Sequence, residues 1–416
     1  MALYLQGIAG ILIYLALAWL LSEKKREVRP RIIITGLLVQ ICLILLLLYV
    51  PLIQSAFATL SSGIQSVSLA TEKGTAFVFG YVGGGPTPFD TTNPANNFIF
   101  AFRVLPLVLM IGALSALLWH WRILAWLVRG AAVLMQKAFR VGGAVGIASA
   151  ANIFMGMAES PLLIGPYIPK LSRSELFVVM SVGMSTIAGS IMVLVATLIE
   201  PTFPGAFGHL LIASVINAPA AIMIAKIMVP GDLSFESRNV SLESHYSGAL
   251  DAITKGTGNA LRLVANIVAL LIVFVSLIEL VNMILALVTV GDEPLTLSLI
   301  LGTLMAPFAW LMGIPWSDAA EAGALLGTKV VINEIVAYMQ LGNLGAGEIS
   351  LHSRYILTYA LCSFGNLGSL AIMIGTLSTL APERRREIIE LGPRTIVSAF
   401  IATAISGAMV GLIAAP

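Results

Sequence analysis

Charge is what this sequence has least of. Only 11% of its 416 residues are Asp, Glu, Lys or Arg, while 58% are hydrophobic and the mean hydropathy is +0.97. Soluble domains carry about 25% charged residues, so this chain cannot solvate a globular surface of its size. Its net charge is only +2, which gives no electrostatic footprint for a nucleic-acid partner. The two cysteines, Cys42 and Cys362, lie in separate apolar segments and support no disulfide framework. The four histidines are scattered, none in an HExxH-like pair, and His120 and His352 fall at predicted interfaces. Without a hydrolase triad, a phosphate loop or an aspartate-rich prenyl-diphosphate motif, an enzyme has no chemistry to stand on. Period-two alternation, the mark of a transmembrane β-barrel, is missing as well.

Long apolar runs are what the chain does have. Stretches near 3–21, 32–50, 98–119, 175–199, 206–229, 261–289, 354–380 and 395–414 approach the roughly 20 residues that cross a bilayer as helix. They predict an all-α polytopic membrane protein with about eight transmembrane helices. The first run lacks a basic n-region and a small-residue cleavage site, so it reads as a retained span. Lys24, Lys25, Arg26, Arg29 and Arg31 place the first connection in the cytoplasm, and the stretch 83–97, with no basic residue, faces outside. Arg122, Arg129, Lys137 and Arg140 mark the next inside connection, "EPTFPGAFGH" (200–209) an outside one, and Lys226, Arg238 and Lys255 an inside one. "GDEP" (291–294) is then outside and "PERRREIIELGPR" (382–394) inside. Segments 51–80 and 122–137 mix apolar, polar and anchoring residues and predict interfacial helices.

The stretches 141–168 and 296–340 are apolar but broken by Gly, Pro and polar residues. The charge pattern is consistent only if each returns to the side it entered, giving two oppositely oriented re-entrant hairpins. "MGMAESP" at 155 and "MGIPWSD" at 312 then read as the two tips. Small-residue breaks follow in "STIAGSIM" (185–192) and "FGNLGSLA" (364–371). The unit of hairpin, broken helix and helix occurs twice, as an inverted repeat. The organisation is N-terminal spans (1–97), a third span with interfacial helix (98–140), a first repeat (141–230), a lead and sixth span (231–295), and a second repeat (296–416). Inverted repeats place their sites at the midplane, where discontinuous helices expose backbone groups as ligands.

Two carboxylates stand out in these hairpins, Glu159 at the first tip and Glu334 on the return arm of the second. Each costs about 2.5–3.5 kcal/mol at a bilayer centre, so both predict a polar, protein-lined cavity; pairing of Glu334 with Lys329 or Asn333 is the structural alternative. Asn366 and Ser369, three apart, share a helix face at the second break. Asn152, Thr186 and the carbonyls of Met155 and Ile187 offer neutral oxygens suited to a weakly held alkali ion. Asp318 reads as a tip cap.

These residues resemble a known family. Gly156, Glu159 and Pro161 at the first tip, with "GIPWSDA", "GTKVVINEIVAY" and "CSFGNLGSLAI", resemble the signatures of concentrative nucleoside transporters, and "GALDAITKGTGNALRLVANIVALL" (248–271) resembles the family's lead into its sixth span. The likeness covers about residues 100–416. It implies eight spans, two opposed re-entrant hairpins, a homotrimer in the inner membrane, and a cation gradient driving nucleoside import by alternating access. It further implies that Glu334, Asn366 and Ser369 bind the ribose, that Gly156, Met157, Ala158 and Glu159 face the base, and that Asn152, Met155, Thr186 and Ile187 hold sodium. The departure is at Met157 and Ala158, where the family carries Gln and Thr. Losing an amide and a hydroxyl predicts a shifted base preference, toward purines. Proton coupling through Glu159 or Glu334, a solute channel, and a nutrient sensor stand as the alternatives.

Overall fold

The computed structural model describes residues 2–90, 99–231, 246–290, 293–345 and 347–414. Residues 91–97 of the polar stretch, Arg238 and Gly291–Asp292 lie outside the described residues. The chain opens with α1 (Ala2–Leu20), α2 (Pro30–Tyr49) and the long α3 (Pro51–Phe79). Pro30 and Pro51 each sit at a helix start, where a missing N–H is harmless and the fixed φ helps. A short α4 (Phe100–Arg103) leads to α5 (Pro106–His120) and α6 (Ile123–Phe139). Then come α7 (Gly143–Asn152), α8 (Ser160–Leu163), α9 (Arg173–Ser185), α10 (Gly189–Ile199) and α11 (Ala206–Met228). The remainder is α12 (Ala249–Leu285), α13 (Leu297–Leu311), α14 (Trp316–Val331), α15 (Glu334–Asn343), α16 (Leu351–Ala360), α17 (Leu367–Leu380) and α18 (Arg385–Ile413). Strand pairing among the described residues is confined to Thr289–Val290 with Glu293–Pro294.

The protein is a nearly all-helical, polytopic membrane protein. Seven helical segments among the described residues are long and apolar enough to cross a membrane. The expected span 354–380 is split by residues 361–366 into α16 and α17, of 10 and 14 residues, neither sufficient alone. Helix α12 runs 37 residues, so the amphipathic lead and the sixth span are one continuous helix.

Packing reveals the repeat. Helix α5 packs on α12; α9 on α11 as α16 on α18; α7 on α9 as α14 on α16; α6 on α7 as α13 on α14. The halves also exchange partners, because α10 packs on α15 and α17 on α8. In this correspondence α13 has the place in the second half that α6 has in the first.

One expectation needs correcting. "MGIPWSD" does mark a reversal, since α13 and α14 bend by 116° there. The equivalent of the "MGMAESP" tip, however, is a second turn at Ile332–Asn333, between α14 and α15, which pack on one another. Glu334 therefore opens the return helix at a tip. Gly313 (φ +96) serves the reversal at 312–315, a turn that only glycine adopts readily. Asp318 bonds within its own turn and to a neighbour: its Oδ1 accepts from Ser317 Oγ (2.9 Å), and its Oδ2 accepts from Ser350 N (2.9 Å), Ser350 Oγ (2.7 Å) and Ser353 Oγ (2.6 Å), tying α14 to the start of α16.

The α13–α14 pair closes backbone to backbone. A Cβ added at Gly323 would lie 2.5 Å from Gly302 O, and one at Gly302 would lie 2.8 Å from Ala320 O. Small residues permit this approach where lipid offers no hydrophobic drive for helix association.

Candidate functional site

The site grows from two interruptions in otherwise regular helices. Helix α9 begins with a capping box, Ser172 Oγ accepting from Glu175 N and the Glu175 carboxylate from Ser172 N. It stops at Ser185; Thr186 and Ala188 take extended backbone before α10 resumes at Gly189. Helix α16 stops at Ala360 and α17 resumes at Leu367. The two breaks touch: Phe364 N donates to Thr186 O at 3.2 Å. The first hairpin tip docks on the same place, with Gly189 N donating to Phe154 O at 3.0 Å. Backbone groups released from helical pairing are thus collected at one point, buried in protein as the apolar surroundings demand.

Asn152 ends α7 and is buried. Its Nδ2 donates to Ala148 O at 3.1 Å, while Oδ1 is buried without a partner among the described residues. Thr186 Oγ1 donates to Val182 O at 3.0 Å, leaving its lone pairs available. Met155 and Ile187 lie in non-helical backbone, and no backbone N–H among the described residues donates to either carbonyl. Ser214 Oγ of α11 fixes the tip by donating to Ile153 O at 3.2 Å. A buried amide oxygen without a partner and two carbonyls that no backbone N–H claims lie, among the described residues, on the segments that cross here, all of them neutral oxygens. Their chemistry fits a hard monovalent cation.

Glu334 is 3% exposed and accepts from Asn366 Nδ2 at 2.9 Å. Asn366 is also the N-cap of α17, its Oδ1 accepting from Ser369 N at 2.7 Å. One buried amide therefore caps the second half of the broken helix and aims the carboxylate. The structure brings Glu334, Asn366 and Ser369 into one hydrogen-bonded cluster. Lys329 makes no direct hydrogen bond to Glu334, although the two charges interact through space: its Nζ donates to Ala360 O (2.7 Å) and Thr403 Oγ1 (3.2 Å).

At the first tip, Met157 is buried and faces Gly183 of α9, where an added Cβ would lie 3.3 Å from Met157 Cβ. Gly156 and Ala158 are partly exposed. Glu159 is exposed and makes no side-chain cap on α8, though a Gly156 backbone hydrogen bond reaches its carboxylate. A solvent-reachable carboxylate at a tip surrounded by apolar helices is the arrangement expected of a wet, protein-lined cavity. A large separate cavity, about 880 Å³, lies between α3 and the α10–α11 connection, lined by Gln54, Gln65, Glu200, His209 and Tyr355. It contains none of the predicted residues.

Sequence reasoning missed Phe364, whose amide joins the two breaks, and the place of Lys329. A lysine with no carboxylate at helical spacing, deep in an apolar run, was the available signal for the latter.

The chain matches the family profiles described as Na+ dependent nucleoside transporter N-terminus (residues 9–82) and C-terminus (209–411), and a profile described as nucleoside recognition (101–202). The nucleoside permease NupC of Helicobacter pylori is 35% identical, the alignment covering 98% of each chain. A solved structure of CNTnw in an inward-facing substrate-bound state is 33% identical with a TM-score of 0.87, covering 99% of this chain and 97% of that one. A CNTnw variant in an intermediate state is 32% identical, with a TM-score of 0.89 and 99% coverage of both chains.

Proposed function

The chain belongs to the concentrative nucleoside transporter family, and from that premise we propose that it is a sodium-coupled nucleoside symporter whose base preference is shifted toward purines. It is a nucleoside transporter, a multi-pass protein of the inner membrane, and not an enzyme. The observation that carries the finer reading is the pair of donor sets meeting at the two helix breaks. On one side stand neutral oxygens at Asn152, Met155, Thr186 and Ile187, on the other the Glu334–Asn366–Ser369 cluster, joined by the Phe364–Thr186 hydrogen bond.

In this reading Glu334, Asn366 and Ser369 take the ribose hydroxyls, and a carboxylate aimed by an amide makes strong charge-assisted bonds to them. Gly156, Met157, Ala158 and Glu159 line the base. Sodium sits at Asn152 Oδ1, Thr186 and the Met155 and Ile187 carbonyls. Its occupancy holds tip and break together, so cation and nucleoside favour the same arrangement, which is coupling in the thermodynamic sense. The transport units are then α7–α11 and α14–α18, re-entrant at 153–159 and 332–333, with α5, α6, α12 and α13 as scaffold. The long α12, whose Leu261, Ile272, Leu280 and Met283 are exposed, supplies a trimer interface.

Labelled-nucleoside uptake into proteoliposomes tests this, using inosine, guanosine, adenosine, uridine and cytidine under an inward sodium gradient, an inward proton gradient, or neither. Sodium-driven accumulation, abolished in Glu334→Ala, is expected. Accumulation that follows protons alone would assign Glu334 or Glu159 as proton carrier, and equilibration without accumulation would mean a facilitator. Uridine taken up as well as inosine and guanosine would sink the purine preference.

A further inference from the structure

We infer that Lys329 is a built-in cation occupying, in the second repeat, the place that the coupling ion takes in the first, so that only one of the two pseudo-equivalent sites needs an ion from solution. The inference rests on the sodium-site reading above.

In the first repeat three elements converge: the last residue of α7 (Asn152), the C-terminal end of α9 with its break, and α11, whose Ser214 holds the tip. The corresponding elements of the second repeat are α14, α16 and α18. There the last turn of α14 supplies Lys329, the end of α16 supplies Ala360 O, and α18 supplies Thr403 Oγ1. Thr403 Oγ1 in turn donates to Phe400 O, so toward Lys329 it acts as acceptor. Lys329 is wholly buried. The two clusters draw on corresponding elements and differ in that only the second contains a charged ammonium.

The physical demand is common to both. A helix that ends inside a membrane protein leaves carbonyls unpaired and carries about half a negative charge at its C-terminus. At the end of α16 a tethered ammonium meets that demand. At the end of α9 the side chains are neutral: Asn152, Ser181, Ser185 and Thr186, with Ser181 Oγ and Asn152 Oδ1 buried and unpartnered among the described residues. A site with the same electrostatic need and no tethered cation is completed by a mobile one. Lys329 is a positioning residue, and its consequence is ion stoichiometry.

The test is sodium dependence of nucleoside binding to the full-length purified protein by titration calorimetry, in wild type, Lys329→Asn and Asn152→Lys. In wild type below saturating sodium, affinity is expected to fall about tenfold per tenfold drop in sodium, the one-ion linkage. Lys329→Asn gives the second site the chemistry of the first, and the same drop then lowers affinity about a hundredfold. Asn152→Lys supplies a tethered cation to the first site, and binding becomes independent of sodium. A one-ion dependence in folded Lys329→Asn overturns the inference while leaving the sodium site intact. Where Lys329→Asn does not fold, wild-type-like sodium dependence in Asn152→Lys overturns it. A wild type indifferent to sodium overturns the sodium-site reading itself, and this shows before any variant is measured.

Discussion

Replacing Asn366 separates two jobs that one amide performs. Its Oδ1 caps α17 through Ser369 N, and its Nδ2 holds Glu334 Oε2, both at buried positions. Serine keeps the cap nearly as well as asparagine, but its shorter side chain cannot also hold the carboxylate. The lost term is therefore a hydrogen bond to a charged group, about 1.5–3 kcal/mol. If Glu334 binds nucleoside only when so oriented, affinity should fall about 10- to 150-fold in Asn366→Ser. The thermal midpoint should fall further in Asn366→Ala, which forfeits the cap as well, a further loss of about 1 kcal/mol. Calorimetric binding and thermal unfolding of the same detergent-solubilised preparations read the two quantities separately. Asn366→Ser binding nucleoside like wild type would refute the assignment of Asn366 as the group that aims Glu334. A midpoint that falls as far in Ser as in Ala would refute the division into cap and clamp.

Three further outcomes are expected. Met157→Gln with Ala158→Thr restores hydrogen-bonding groups at the base-facing tip and should improve uridine relative to inosine uptake; an unchanged ratio would show that base preference is set elsewhere. Gly323→Ala places a Cβ 2.5 Å from Gly302 O, so α13 and α14 must separate, and thermal stability should drop by about 1–3 kcal/mol; an unaltered midpoint would mean the pair is loosely held. Just after α1, the Arg173 guanidinium hydrogen-bonded to Glu23 holds that carboxyl below its usual range, with Arg394 adding to it. A depressed folded-state value means the stabilisation is present above the unfolded pKa of about 4.3 and is lost as pH falls through the lower folded value. Glu23→Gln should flatten that acid limb of thermal stability, and parallel limbs in both proteins would count against it.

How much of this could be read in advance follows from the range of each interaction. The starts and ends of α1, α2, α11 and α18 fall within a few residues of the apolar runs, apart from the N-terminal extension of α18 to Arg385, because hydropathy against a 30 Å slab is a property of one segment at a time. The breaks at Thr186–Ala188 and before Leu367 were legible for the same reason, small residues and a capping asparagine being local signals. The second tip was not. Ile332 and Asn333 carry no glycine or proline, and that turn is held by the packing of α15 on α10; the Asn333 cap on Val336 N was its one local signal. Its misplacement followed from reading the proline-marked turn at 312–315 as the only reversal.

The membrane class of the chain, most of its spans, and the presence of two carboxylates needing a polar surrounding were determined by the sequence alone. Each depends on composition within some twenty residues and on the high cost of unpaired polar groups in hydrocarbon. Tertiary structure alone decided that the two breaks meet through Phe364 and Thr186, that Asn366 holds Glu334, and that Lys329 hydrogen-bonds the end of α16. Those partners lie in different helices. A hydrogen bond between them is fixed by how the repeats interlock, a relation that no local pattern of residues encodes.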